Sequence, residues 1–276
     1  MTEEQAGKVT LSGAQETTLA TLYGKAMESR RADSILQDTD ADKALHRIDY
    51  DFGKLRIRRS DHVSLAVRAK AYDIWARQFI DAHPRCTVLH LGCGLDTRAY
   101  RVAPPTSVTW YDVDHPDVIA LRRKLFADRD GVGMIAGSIT DPTLLDEVAG
   151  GAPVLVIAEG VTPYLPAGDG IAMLRRIVGH FPSGELLFDG YNRGGLWFLQ
   201  RYGCVKASGA RLGWSIGDPH SIERAVPGLR LDAELWYSDA PGMGARLSWL
   251  NRKLLRGAYR IPAIRRLGRP LRYTFG

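Results

Sequence analysis

Apolar and polar positions along the chain fall into two regimes. Over 17–83 the apolar residues recur at helical spacing. Thr18, Leu22, Ala26 and Arg30 lie on successive turns, with Leu19, Tyr23 and Met27 beside them, and this predicts a helix over 17–30. Ile35, Leu36, Ala44, Leu45 and Ile48 predict a second helix over 34–48, after Asp33. Val63, Ala66, Val67, Tyr72, Ile74, Trp75 and Phe79 predict a long third helix over 62–83, ended by Pro84. The stretch 50–59 between them is mixed and reads as a loop, and the polar residues 1–15 read as a loose end.

From Cys86 the pattern changes. Short apolar runs at 88–91, 108–111, 132–136, 153–158 and 185–189 alternate with helical stretches at 95–101, 115–129 and 167–181, and Asp141 with Pro142 behind it is placed to cap one more. This rhythm predicts a parallel sheet with right-handed crossovers. The segment 191–216 breaks it. Its glycines and aromatics (Tyr191, Trp197, Phe198, Tyr202, Trp214) suggest a lid insertion that completes a substrate pocket, or a helical insertion packed on the core. A short helix over 218–226, a strand over 229–236, a basic helix over 247–255 and a last, edge strand over 271–275 follow. With no helical crossover between them, the final two strands predict an antiparallel addition. The expected organisation is a helical cap over 1–85 and an α/β domain over 86–276.

Composition narrows the class. The 276 residues are 45% hydrophobic and 25% charged, as in soluble globular proteins. The start, Met-Thr-Glu-Glu-Gln, is unlike a signal peptide, and no apolar run approaches the ~20 residues of a membrane span. Cys86, Cys93 and Cys204 form no close pair, so neither a disulfide framework nor a metal site is expected, and a cytoplasmic location is. The net charge is +6, yet 246–272 holds nine Lys or Arg and no acid, which leaves the remainder slightly acidic. Such a stretch is a solvated face or attracts an acidic substrate, a membrane surface or nucleic acid. No aromatic-rich RNA-binding signature accompanies it, and no nucleic-acid partner is expected.

The chemistry concentrates in 87–114. An apolar run ends in a turn containing Gly92 and Gly94; Asp96 and Thr97, both N-cap types, follow; and a second apolar run leads to Asp112, about 20 residues after Gly92. Glycines admit a ligand to the backbone, and the acid accepts hydrogen bonds from ribose. A dinucleotide site wants a third glycine where Thr97 stands. Two glycines and a distant acid suit a ligand with ribose and no phosphate, and S-adenosylmethionine is the candidate.

Three stretches carry a resemblance: 91–98 (Leu-Gly-Cys-Gly-Leu-Asp-Thr-Arg), 111–116 (Tyr-Asp-Val-Asp-His-Pro) and 157–165 (Ile-Ala-Glu-Gly-Val-Thr-Pro-Tyr-Leu), supported by 21–30 and by Arg68 followed by Asp73. The chain resembles the class I S-adenosylmethionine-dependent methyltransferases, and among them the leucine carboxyl methyltransferase group in its bacterial, polyketide-methylating branch. The resemblance implies a Rossmann-like, mostly parallel seven-stranded sheet with an N-terminal helical cap. It also implies that Gly92 and Gly94 border the methionine part of the cofactor, that Asp114 or Asp112 holds the ribose, that Glu159 faces the amino end, and that Lys25 and Arg68 pair with the carboxylate. Relatives carry Asp-Leu against adenine where this chain has Ser138 and Ile139, and a serine hydroxyl still accepts that bond. The charge signs agree, since a sulfonium and an ammonium favour carboxylates and a carboxylate favours Lys or Arg. Asp73 is expected on a helix surface or in pairing within the cap.

The expected reaction is methyl transfer to an oxygen of a small molecule, with S-adenosylhomocysteine as product. A carboxylate acceptor, with a reference pKa of about 4, needs no base; a phenol, at about 10, is helped by one. Of His62, His90 and His115, His90 is expected to be a satisfied core residue, and His115 is the histidine near the cofactor. Tyr164, His115 and Tyr191 are the candidates for positioning the acceptor, with Tyr164, at the strand's carboxyl end, preferred. Residues 159–164 offer neither the carboxylate set of a metal-assisted catechol mechanism nor the Asp-Pro-Pro-Tyr of base-methylating enzymes. The alternatives are a protein carboxyl methyltransferase, a non-catalytic cofactor-binding scaffold and, disfavoured by Thr97, an NAD-binding oxidoreductase.

Overall fold

The computed structural model describes residues 17–55, 57–236, 239–246 and 248–276. The loose end expected over 1–15 and the expected helix start at Leu247 lie outside the described residues.

Among the described residues three α-helices precede the sheet: α1 (Thr17–Ser29), α2 (Thr39–His46) and α3 (Arg59–Ala82). The predicted helix over 34–48 starts only at Thr39. The preceding turn has its donors satisfied elsewhere: the backbone N–H groups of Ile35 and Leu36 and the Ser34 hydroxyl all donate to the Glu28 carboxylate. Gln37 then takes a left-handed conformation (φ 58°), and Asp38 caps α2 by accepting from the Ala41 N–H at 3.0 Å.

The α/β part runs β1 (Thr87–Leu91), α4 (Arg98–Val102), β2 (Thr109–Asp114), α5 (Pro116–Leu125), β3 (Val132–Ala136), β4 (Val154–Ala158), α6 (Ala167–His180) and β5 (Gly184–Gly190). After it come α7 (Arg193–Gln200), α8 (Gly203–Ser208), α9 (His220–Ala225), β6 (Arg230–Glu234), α10 (Met243–Arg246), α11 (Trp249–Ala258), α12 (Pro262–Arg265) and β7 (Arg269–Phe275). The sheet order is β3-β2-β1-β4-β5-β7-β6, parallel through β5 and antiparallel at β5–β7 and β7–β6. Every residue of β1, β4 and β5 is buried, which is why those stretches are nearly unbroken apolar runs. Alternation along the strands sends Leu89, Leu91, Val156 and Leu186 to one face, against Met173, Leu174 and Ile177 of α6. Val88, Leu155 and Leu187 go to the other, against Tyr72 and Phe79 of α3.

Three further expectations are corrected. The strand at 271–275 is not an edge: β7 pairs with β5 on one side and β6 on the other, and β6 is the edge. Leu271, Tyr273 and Phe275 reveal one buried face, but alternation says nothing about how many neighbours a strand has. The second strand does not end at Asp112; it continues to Asp114. Asp141 does not start an α-helix. It accepts from the N–H and hydroxyl of Thr143 at the entry to a single 3₁₀ turn, Leu144–Glu147.

Candidate active site

The order reverses between β1 and β4, and in such sheets ligands bind outside the carboxyl ends of the strands at that point. The loop after β1 has Gly92 and Gly94 at φ 59° and 53°, where a side chain is strained. A Cβ on Gly92 would stand 2.5 Å from Val161 Cγ2, and one on Gly94 2.9 Å from Thr18 Cγ2. The loop is pinned from the protein side. Gly94 N–H donates to Asp114 Oδ2 at 2.7 Å, and Arg122 Nη1 donates to the carbonyls of Gly94 and Asp96.

Around this loop lies a buried network of acids and bases. Glu159, directly after β4, meets Arg68 Nε at 3.0 Å and Lys25 Nζ at 3.7 Å through Oε1, and Arg98 Nη2 through Oε2. Asp96 meets Lys25 at 3.0 Å, Arg98 at 3.2 Å and Arg101 at 2.7 Å. Arg98 and Arg101 share Asp73 at 2.8 and 2.7 Å, and Arg101 reaches Asp38 at 2.6 Å. Asp189, near the end of β5, accepts from Gly160 N–H and the Tyr72 hydroxyl and lies 3.6 Å from Arg68. Burial alone would keep these acids neutral, but the facing cations win at most of them. Arg101 and Arg98 hold Asp73 and Asp96 below the ordinary carboxylate range, and Lys25, Arg98 and Arg68 do the same for Glu159. At Asp189 burial wins over Arg68, and its pKa is raised.

A lowered carboxylate contributes stability above its unfolded pKa, near 4, and loses it as pH falls through the folded value. The difference in urea midpoint between the native chain and Asp73→Asn is therefore expected to be full above about pH 4 and to close below it. Midpoints measured over a pH series check this; a gap independent of pH would mean that Asp73 is held neutral.

A cavity of about 140 Å³ opens on this network, lined among others by Lys25, Arg68, Gly92, Gly94 and Glu159. Tyr164 and Tyr191 line it too. Through Leu65, Arg68, Tyr191, Leu199 and Tyr202 it shares walls with a second, more apolar cavity of about 570 Å³, closed by Met243, Leu255 and Tyr259. Seven of the sequence-derived candidates thus come together.

The others do not line it. Asp112, one of the two alternatives for ribose, has both oxygens engaged inside the protein, Oδ1 by Trp110 and His90 and Oδ2 by Arg122, and it sits two residues short of the strand end. Asp114 ends the strand, accepting from Gly94 and His115 N–H, and each oxygen keeps a second lone pair. His115 is exposed at the N-cap of α5 rather than beside the cavity. Ser138 pairs with Thr140, and Ile139 packs on the core near Leu144.

His90 is satisfied within the core, Nδ1 against Asp112 at 3.0 Å and Nε2 against Arg98 at 3.3 Å. Thr97 stands at the N-cap of α4, but its hydroxyl donates to Asp38 at 2.6 Å, tying the glycine-loop helix to the N-terminal helices. Asp73 is not on a surface but buried. Sequence reasoning missed Asp38, Asp96, Arg98, Arg101, Arg122 and Asp189 as parts of this network. Only Asp189 had a signal available, an acid closing an apolar strand run, as Glu159 does after β4.

The residues fit S-adenosylmethionine. Two carboxylates, Asp96 and Glu159, and two cations, Lys25 and Arg68, line the cavity, a set of both signs that suits a ligand bearing cationic groups and a carboxylate.

Comparisons with known proteins agree. The model of the leucine carboxyl methyltransferase family matches residues 18–133. The chain is 43% identical over 267 residues to the tetracenomycin polyketide synthesis O-methyltransferase of Streptomyces glaucescens, covering 97% of this chain and 98% of that protein. It is 33% identical to the S-adenosyl-L-methionine-dependent methyltransferase dpfgK of Gibberella zeae, covering 98% and 97%. Its fold is similar to that of an inferred methyltransferase from Thermobifida fusca, with TM-score 0.59, 17% identity and coverage of 91% of this chain and 94% of that one.

Proposed function

We infer the acceptor from a plain premise: the chain belongs to the leucine carboxyl methyltransferase family, and it is an S-adenosylmethionine-dependent O-methyltransferase. We propose that it methylates a carboxylate of a polyketide-like small molecule in the cytoplasm. The polyketide class is suggested by the Streptomyces glaucescens relative. A reducing compartment suits three free cysteines.

The donor supplies a methyl group carried on a positively charged sulfur. We assign the chain's residues as follows. Glu159 and, with it, Asp96 hold the cationic end. Lys25 and Arg68 hold the carboxylate, Asp114 takes the ribose hydroxyls, and Ser138 and Ile139 border adenine. Gly92 and Gly94 keep the backbone open beside the methionine part. The N-terminal helices act as the cap, with 191–216 as the lid, and Tyr164 and Tyr191 orient the acceptor in the adjoining apolar cavity.

One observation carries the choice of carboxylate over phenol: among the described residues lining the two cavities, no histidine stands free to act as a base. Burial pushes the Tyr164, Tyr191 and Tyr202 phenols up, so these groups donate hydrogen bonds rather than accept protons. His90 is closed between Asp112 and Arg98. Asp61, in the larger cavity, has both oxygens engaged, by the Arg58 N–H and the Ser60 hydroxyl. An acceptor ionised on arrival, with pKa about 4, needs none of them. Positioning and exclusion of water then do the catalytic work.

The test is incubation with methyl-labelled S-adenosylmethionine and a cell extract, then mild base. Methanol release from a small molecule and a rate flat from about pH 6 to pH 9 are expected. A base-stable product whose rate climbs toward pH 10 would mean a phenol, and label on a protein band a protein substrate.

A further inference from the structure

The basic stretch noted in the sequence gives Arg246, Leu255 and Tyr259 to the wall of the larger cavity, and its other basic residues line neither cavity. All six exposed large hydrophobic side chains among the described residues fall on two stretches: Trp197 and Phe198 on α7, and Trp249, Leu250, Leu254 and Ile261 on α11 and the turn after it. The stretches adjoin. Leu199 of α7 and Leu255 of α11 line the same 570 Å³ cavity, and Asn192 Nδ2 donates to the Ala263 carbonyl at 2.8 Å. No acid occurs over 190–217, which holds four Lys or Arg, nor over 246–272, which holds nine, of which Arg246, Arg269 and Arg272 pair with acids from elsewhere in the chain. On α11 the Leu250–Leu254 pair is one turn apart, flanked by Arg252, Lys253 and Arg256, and Lys253 lies over the Trp249 ring at 5.6 Å. On α7, Arg201 lies over Trp197 at 3.6 Å.

We propose that α7 and α11 form a docking surface for an anionic lipid bilayer, with Trp249, Leu250 and Leu254 entering the headgroup boundary. The charge pattern selects this occupant. A second copy of the same face would bring together two pairs of stretches that carry cations and no acids of their own, and like charges repel. Tryptophan and leucine beside Lys and Arg, whose stems lie along apolar surface while their charges reach phosphate, are the composition of a helix lying in a membrane interface. No helix of the described residues is long and apolar enough to cross a membrane, so the contact is peripheral. The large apolar cavity opens between the same elements, which gives an apolar acceptor a route from the bilayer into the protein.

The experiment is co-sedimentation of the full chain with two kinds of vesicle, phosphatidylcholine alone and phosphatidylcholine with about one-third phosphatidylglycerol. Its companion is the double variant Trp249→Glu/Leu254→Glu; both positions are exposed and outside the cavities, and circular dichroism checks the fold. The native chain is expected to sediment with the anionic vesicles and little with the neutral ones. The double variant is expected to bind roughly tenfold or more weakly, and salt at about 1 M to release the native chain, because the Debye length falls to about 3 Å. No sedimentation with anionic vesicles, equal sedimentation of the double variant, or equal binding to neutral vesicles would each overturn the proposal. So would a native dimer that the double variant converts to monomer, because that face would then belong to a second copy.

Discussion

Replacing Arg98 with methionine is expected to lower the unfolding free energy by about 3–5 kcal/mol. Arg98 has no exposed surface, contacts Asp73, Asp96 and Glu159, and lies over the Tyr72 ring at 5.5 Å. Methionine fills similar space, so the change isolates the charge. Removing one partner of a buried ion pair leaves the other uncompensated, and here three carboxylates lose a shared cation. Arg101, Lys25 and Arg68 still face those acids, which places the loss toward the lower end of the range. In a chain of this size each kcal/mol moves the melting temperature by about 2–4 °C, so a fall of roughly 6–12 °C is expected. Urea unfolding checks the free energy. The double variant Arg98→Met/Asp73→Asn is expected to recover part of the loss, because one stranded charge is removed with its partner. A midpoint close to that of the native chain would mean that Arg98 is dispensable to the network.

Replacing Glu159 with glutamine is expected to lower kcat/KM by on the order of a hundredfold or more, mostly through donor affinity. Truncating one partner of a buried charge pair typically costs 2–5 kcal/mol, and about 1.4 kcal/mol is a factor of ten. Glutamine keeps the shape but removes the charge that answers Lys25, Arg68 and Arg98. The donor's cationic end then faces cations with one fewer acid between them. Calorimetric titration with S-adenosylhomocysteine, on protein whose circular dichroism is native, separates lost binding from lost folding. Native affinity and native turnover would place the cationic end of the cofactor elsewhere.

Both variants concern a network that the sequence displayed only in part. Glu159 was legible because it stands where an apolar run ends, which in an α/β sheet is the ligand side, whereas the apolar run before Asp114 points to Asp112 and only the family resemblance points to Asp114. Lys25 and Arg68 were legible only through the family resemblance. Asp73 was not, because on a helix a charge pointing to solvent and a charge buried against an arginine look alike until the partner is placed. Arg98 lies 25 residues from Asp73 and 61 from Glu159, and no spacing rule connects such positions. The surroundings of Asp112 and Asp114 also needed the fold. The two acids share one face of β2, and only the register that sets His90 opposite Asp112 shows which is closed off.

The sequence by itself determined the seven strands and most of the helices, in order. Hydrophobic spacing at 3.6 and 2 residues separates helix from strand, and the strand–helix rhythm with right-handed crossovers admits few arrangements. It determined the glycine loop as well, since that backbone conformation excludes most side chains. The tertiary structure decided which strand is the edge, which of the charges are buried and with whom, and which faces of α7 and α11 meet water. Each of these depends on neighbours far apart in the chain, and pairing, desolvation and exposure are properties of contacts rather than of residue type.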